Sequence, residues 1–157
     1  MFWVDQTGQH GLIAAKADQS AGVQWYNDTY RVTRTTGDGI GAGAMNTALI
    51  IAAQSNDNAA TNFAATIAAD YSVQDDGITT CTGATNETCY GDWYLPSKVE
   101  LNLLYAQKTV VGGFANYVYW SSTETGSSFA WGQDFTIGYQ YGGSKHDAVR
   151  VRAVRAF

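Results

Sequence analysis

Residues 92–105, "DWYLPSKVELNLLY", carry the clearest local signal in the chain. Ser97 and Glu100 stand at the S-x-x-E spacing of a capping box. Ser97 can accept from the amide of Glu100, while the Glu100 carboxylate reaches back to the amide of Ser97. Pro96, the only proline in 157 residues, has no amide hydrogen and marks the entry. A helix is expected to follow, with Val99, Leu103 and Leu104 turned to the core and Gly112–Gly113 ending the unit.

Upstream of this segment the patterns are shorter. Residues 2–4 and 11–16 read as two strands around the turn "DQTGQHG". Residues 17–44 are rich in Gly and Thr with one or two short extended pieces, and Trp25 and Tyr26 are expected in the core. Asn46 is a candidate cap for a helix over "TALIIAAQS", and Asn56, Asp57 and Asn58 break it and supply a second cap. In "AATNFAATIAADY", Ala60, Phe63, Ala64, Ile67 and Ala68 recur at helical spacing and form one packing face. Residues 72–91 read as a loop. Beyond Gly113 the vocabulary turns to strands: "YVYWSS", "FAWGQDFTI" and "AVRVRAVRAF". In the last of these, Val149, Val151 and Ala153 alternate with Arg150 and Arg152, the pattern of a half-buried strand able to pair with the first. The expected fold class is α+β in one domain over residues 1–157. Two or three helices stand with a small antiparallel sheet joining N- and C-terminal strands.

Composition narrows the function classes. Charged residues make up 15% of the chain, against ~25% in typical soluble domains, and aromatic residues 13%. The surface is therefore expected to consist of neutral hydrogen-bonding groups. A net charge of −5 argues against a nucleic-acid partner, since a phosphate backbone demands a positive surface. No apolar run approaches the ~20 residues of a membrane helix, so membrane insertion is not expected. The opening residues lack the basic start and apolar core of a signal peptide. The chain is either cytoplasmic or exported by another route, as part of a virion or a larger surface protein. Cys81 and Cys89 lack the histidine needed to complete a zinc site. They read as a local disulfide, which implies an oxidising location, or else as two reduced thiols.

The segment 119–157 interleaves two vocabularies. Large or specific residues (Trp120, Glu124, Trp131, Gln133, Phe135, Gln140, Lys145, Arg150, Arg152) alternate with small, polar and tyrosyl ones. Trp120, Trp131 and Phe135 are large enough to anchor an irregular region, each contributing ~2–3 kcal/mol if buried. The arginines are expected to stack on aromatic rings and to pair with Glu124 or a nearby aspartate.

The ordered motifs from "GDWYLPSKVELNLLY" through "YWSSTE" to "RVRAVRAF" resemble the DUF1566 (Lcl C-terminal-like) family. Weaker similarity extends to "FWVDQTGQHGLIAA" and "NTALIIAA". The resemblance implies a C-type-lectin-like fold related to formylglycine-generating enzymes. Within this family and fold are the variable proteins of diversity-generating retroelements, whose C-terminal segment is rewritten by adenine-directed mutagenesis. On this chain that segment corresponds to residues 116–157. Asparagine codons mutated at adenines can give most small and polar residues as well as Phe, Leu, Ile, Val and Tyr, but not Trp, Met, Lys, Gln or Glu. The reachable set is Thr125, Ser127, Ser128, Phe129, Gly132, Asp134, Thr136, Ile137, Tyr139, Tyr141, Gly142, Gly143, Ser144, His146, Asp147 and Ala148, the candidate ligand-binding residues. Trp120, Trp131, Phe135, Arg150 and Arg152 are the expected scaffold.

The resemblance implies a protein or glycan ligand on a target cell surface, with the domain displayed on a virion or cell. Tyr supplies contact area at little rotamer entropy, and Ser and Gly let loops adapt. Three rival readings stand beside this one. Catalysis finds little support: His10 and His146 are the only histidines, no cysteine follows Cys89, and no nucleophile elbow or phosphate loop is present. Calcium-dependent sugar binding has only loop acids to draw on, Asp38 and Asp75–Asp76, as a structural ion site; no cofactor is expected. The third rival is a module of a surface protein with a fixed partner and no diversification, such as a carbohydrate-binding or adhesion domain of fixed specificity.

Overall fold

The computed structural model describes residues 1–59 and 62–157. Its strands are β1 (Trp3–Val4), β2 (Gly11–Ala14), β3 (Ser20–Val23), β4 (Val73–Gln74) and β5 (Cys89–Tyr90), then β6 (Val118–Glu124), β7 (Phe129–Asp134), β8 (Gln140–Ser144), β9 (Val149–Val151) and β10 (Val154–Ala156). Four helices are described: α1 (Ala42–Gln54), α2 (Ala64–Ala69), α3 (Lys98–Ala106) and α4 (Lys108–Val111). The fold is α+β, with three small sheets.

Both ends of the chain meet in a sheet of order β1-β2-β10. The hairpin expected around residues 5–10 forms, with Trp3 opposite Leu12. The C-terminal strand joins β2 rather than β1, with Ala156 also opposite Leu12. A second sheet runs β3-β9-β6-β7-β8. It departs from the expected antiparallel pattern at one place, where β6 and β9 lie parallel. Its edge strand β8 falls in a stretch whose Gly142 and Gly143 hide the strand pattern.

The capping box forms as its spacing dictates. The Glu100 amide donates to Ser97 Oγ at 3.3 Å, and the Ser97 amide donates to Glu100 Oε2 at 2.8 Å. That cap fixes where α3 begins, and the bonds of Glu100 to the Gly41 amide and the Tyr94 hydroxyl turn its side of the helix inward. Ser97, Glu100, Leu101 and Leu104 are buried, at helical i, i+3, i+4, i+7 spacing. Val99 is 38% exposed and Leu103 only partly buried, so the expected inward face of Val99 and Leu103 is corrected to Leu101 and Leu104. Gly112, at φ 75°, ends α4 as expected.

Helix α1 begins earlier than Asn46. Gly41 caps it at φ 85°, and the Gly41 amide donates to Glu100 Oε1 at 2.7 Å. One carboxylate thus serves the N-termini of two helices. Burial pushes the Glu100 carboxyl above its ordinary value, while the donors from Ser97, Gly41 and Tyr94 oppose that shift. Asn46 sits inside the helix and is buried, its side-chain amide donating to Gly37 O at 2.6 Å. Helix α2 is also shorter than expected. The Phe63 amide donates to Thr66 Oγ1 at 3.1 Å at its start. Phe63, Ala64 and Ala68 pack inward with Ile67 beside them, and Ala60 lies outside the described residues.

Two apolar clusters fill the interior. One contains Trp25, Tyr26, Ile50, Phe63, Leu95 and Trp120; the other contains Phe2, Leu12, Leu101, Leu104, Tyr119 and Phe135. Arg152 is fully buried, a correction to its expected place on a solvent side. The strand breaks between β9 and β10, and the side chain turns inward. It donates to Ala15 O at 3.0 Å and to Asp18 at 2.8 Å, with its guanidinium 4.1 Å from the Phe114 ring centroid. Arg150 also reaches Asp18, at 2.9 Å. The expected stacking on aromatic rings is present, and of the two expected kinds of acid partner, Glu124 or an aspartate, it is an aspartate, Asp18, that pairs. Cys81 and Cys89 are joined in a disulfide across the loop that β4 and β5 close.

Candidate ligand-binding surface

The platform for the surface is made by Trp120. Its ring spans from β6 across β7 to β8, and it touches places where neither neighbouring strand has a side chain. A Cβ on Gly143 would stand 3.1 Å from the Trp120 ring, and one on Gly132 would stand 3.1 Å from Val118. Gly132 and Gly143 are buried beneath this packing and present no side chain to a ligand. Their expected place among outward residues is therefore corrected. The Trp120 indole donates to Val23 O at 3.0 Å, and the Trp25 indole donates to Ser121 O at 2.8 Å. Phe135 is buried, but Trp131 is only half-buried, with Lys98 Nζ 3.5 Å from its ring centroid. Trp131 is thus a stacking partner at the sheet face rather than a core anchor.

Above the platform, a buried ion pair ties down the 31–35 segment. Lys145 Nζ donates to Glu124 at 2.5 Å and to Arg31 O at 2.8 Å, and stands 4.5 Å from the Trp25 ring centroid. The Glu124 carboxylate accepts from the amides of Thr33 at 2.9 Å and Arg34 at 3.0 Å. Two successive amides converge on one carboxylate because Arg34 takes a left-handed conformation, φ 61°. Outside glycine that conformation is disfavoured by ~1–2 kcal/mol, and the charge-assisted bonds offset it. Burial pushes the Lys145 ammonium below its ordinary value; the hydrogen bond and the charge of Glu124 hold it up.

The remaining candidates lie outside this frame. Thr125, Ser127, Phe129, Thr136, Ile137, Tyr139, Gly142, His146, Asp147 and Ala148 are exposed, and Ser128, Asp134, Tyr141 and Ser144 are half-buried. They do not form one patch. Phe129 faces Ser144 at one end of the β7–β8 ribbon, and Gln133 faces Gln140 at the other. The 125–128 and 145–148 turns therefore share an end, while Thr136, Ile137 and Tyr139 lie at the opposite one. Strand alternation further sets Tyr141 on one face and Gly142 and Ser144 on the other. Tyr139 and Tyr141 stack, ring centroids 6.3 Å apart. Burial pushes the Tyr141 hydroxyl up, with Asp147 and Asp134 adding to the shift. Asp134 is held below the usual carboxylate range by the side chain and then the amide of Thr136.

The 125–128 and 145–148 end gains residues that the sequence reading left out. The Tyr26 and Tyr30 rings meet at a tilt of 33° with centroids 4.8 Å apart, the Tyr26 hydroxyl lies 3.1 Å from His146 Nδ1, and the Tyr30 hydroxyl lies 3.5 Å from Ser144 Oγ. Gln24 Nε2 also stands 3.1 Å from His146 Nδ1. Tyr30 is 48% exposed. The signal for these residues is the aromatic and polar run "WYNDTYR", which has no helical or strand period. The arrangement offers ring faces, hydroxyls and an imidazole on a fixed backbone, the chemistry of recognition by contact.

Of the loop acids, Asp76 is engaged internally. The Asp76 carboxylate accepts from the amides of Ile78 and Thr79, both at 2.8 Å, and from the Thr79 hydroxyl. Those bonds, led by the Thr79 hydroxyl, lower its carboxyl to about 2. Cys81, Glu87 and Cys89 lie close together, but both sulfurs are committed to the disulfide.

No curated protein matches the chain. The Lcl C-terminal domain matches residues 15–155, a span that begins just after β2, ends within β10 and contains both the platform and the loops above it. On that match, the chain belongs to the Lcl C-terminal domain family.

Proposed function

We propose that this domain is a non-enzymatic recognition module with a C-type-lectin-like fold, displayed on a virion or cell surface. Its outward residues between Thr125 and Ala148 are exchanged by a retroelement to change the protein or glycan bound. The observation that carries this reading is the sorting of side chains in the segment. Ten of the sixteen reachable residues are exposed, four are half-buried and two are buried, while unreachable Glu124, Gln133 and Lys145 are buried. The disulfide supports an oxidising location. The end formed by Ser128, Phe129, Ser144 and His146, with Tyr26 and Tyr30 beside them, is the strongest part of the surface.

The deciding experiment reads the DNA beside the coding sequence. A reverse transcriptase, together with a near-copy of the 3′ end differing at adenines, is the expected finding. A flanking region without either turns the reading to a fixed-specificity carbohydrate-binding or adhesion domain. Titration against glycan arrays with and without chelator then identifies its ligand class.

A further inference from the structure

A cavity of about 470 Å3 opens beside the β1-β2-β10 sheet, and none of its lining residues belongs to the 125–148 segment. Two cross-strand pairs form its walls. Ile13 faces Arg155 across β2 and β10, and Val73 faces Tyr90 across β4 and β5, so each pair projects from its own sheet at one level. Trp93 lies between them, its indole donating to Tyr90 O at 3.0 Å. The Arg155 guanidinium bridges the walls, 4.8 Å from the Tyr90 ring centroid.

The polar groups in this cavity are unevenly used. Arg155 donates from Nε to Asp92, and its two terminal nitrogens have no protein acceptor among the described residues. Lys16 Nζ donates to Asp76 O at 2.7 Å, leaving two of its hydrogens free. Asp75 is the one acidic side chain among the lining residues, and Asp92, outside the lining, is the partner of Arg155 Nε, so Lys16 carries the cationic charge that no carboxylate side chain among the described residues pairs directly. The volume falls within the ~300–1,000 Å3 of small-molecule sites, which combine apolar walls with a few convergent polar groups.

We propose that this cavity binds a small organic anion, a carboxylate carried on a flat aromatic body. The carboxylate takes the two free nitrogens of Arg155 side by side, with Lys16 as a second cation. The flat body lies against the Tyr90 ring and over Ile13, Val73 and Trp93. This site is separate from the surface proposed for recognition and stands or falls independently of it.

The test is an amide-resolved NMR titration of the whole chain with indole-3-acetate, with indole-3-acetamide as the uncharged control. Shifts confined to residues 13–16, 73–77, 90–93 and 155–157 are expected, with the acetamide weaker by roughly tenfold or more. Lys16→Gln, on an exposed side chain, and Arg155→Gln are each expected to weaken binding by a similar factor; the spectra of the free variants report whether they fold. If only Lys16→Gln folds, its loss of affinity decides the matter. Unchanged shifts at millimolar indole-3-acetate, equal binding of the acetamide, or undiminished binding by Lys16→Gln would each overturn the proposal. A methyl glycoside that moves the same amides as strongly as the acid would overturn it in favour of a neutral sugar site.

Discussion

Strand β8 shows two kinds of position within five residues. Gly143 and, just beyond the strand, Lys145 point into the molecule, where one meets the Trp120 ring and the other Glu124. Gly142 and Ser144 point outward, and Gly142 has open space around it apart from Thr125 and Phe129. A strand alternates faces at every residue, so positions that accept change and positions that forbid it stand side by side. Composition alone does not separate them. Two adjacent glycines play opposite parts, and a lysine, usually the most solvated of residues, is the most buried side chain of its turn.

The sharpest way to break this contrast is Lys145→Ala. Removing one partner of a buried pair leaves Glu124 charged and unmatched, so the domain should lose ~3–5 kcal/mol of stability in denaturant titration. Leu101→Ala tests the inward face of α3 on the same scale, at ~2–5 kcal/mol, whereas Val99→Ala should stay within ~0.5 kcal/mol. Gly143→Ala pushes a methyl against Trp120 and should cost ~1–3 kcal/mol, while Gly142→Ala should not. Glu100→Gln alters a slope. The raised carboxyl makes its stabilising contribution fully present below the unfolded-state value near ~4.5, and that contribution is lost as pH rises through the folded-state value. Melting temperatures measured from pH 4 to 8 should therefore fall more steeply in the parent than in the variant. The smallest effects belong to Tyr139, Ser144 and His146: replaced together, each should contribute within ~0.5 kcal/mol, with any binding partner nonetheless changed.

Much of this was legible from the chain, and the failures have physical reasons. The capping box and the N-terminal hairpin depend on neighbours in sequence, and they form as expected. Trp25 and Tyr26 are buried as expected because large aromatic side chains favour the core, although the partners that bury them are distant in sequence. The start of α1 was not legible because its amide is capped by Glu100, 59 residues away. Burial of Arg152 depends on Asp18, 134 residues distant, and the alternating pattern around it points the wrong way. The phase of α3 is a subtler case: Val99 and Leu103 suit a core position as well as Leu101 does, and only the tertiary engagement of Glu100 decides between them. At the candidate surface, most outward positions were legible because loop chemistry marks them. Their division between two ends of the ribbon was not, since it follows from the register of β8.

The Glu124–Lys145 pair also has a genetic consequence. Both lysine codons begin with two adenines, and codon 145 lies between those for Ser144 and His146. A process that rewrites adenines indiscriminately across this turn would strip the ammonium from most of its progeny and leave a bare buried carboxylate in each. If the proposed retroelement acts on this segment, a repertoire that keeps folding must spare that codon, and the lysine marks where the exchange would have to skip a beat.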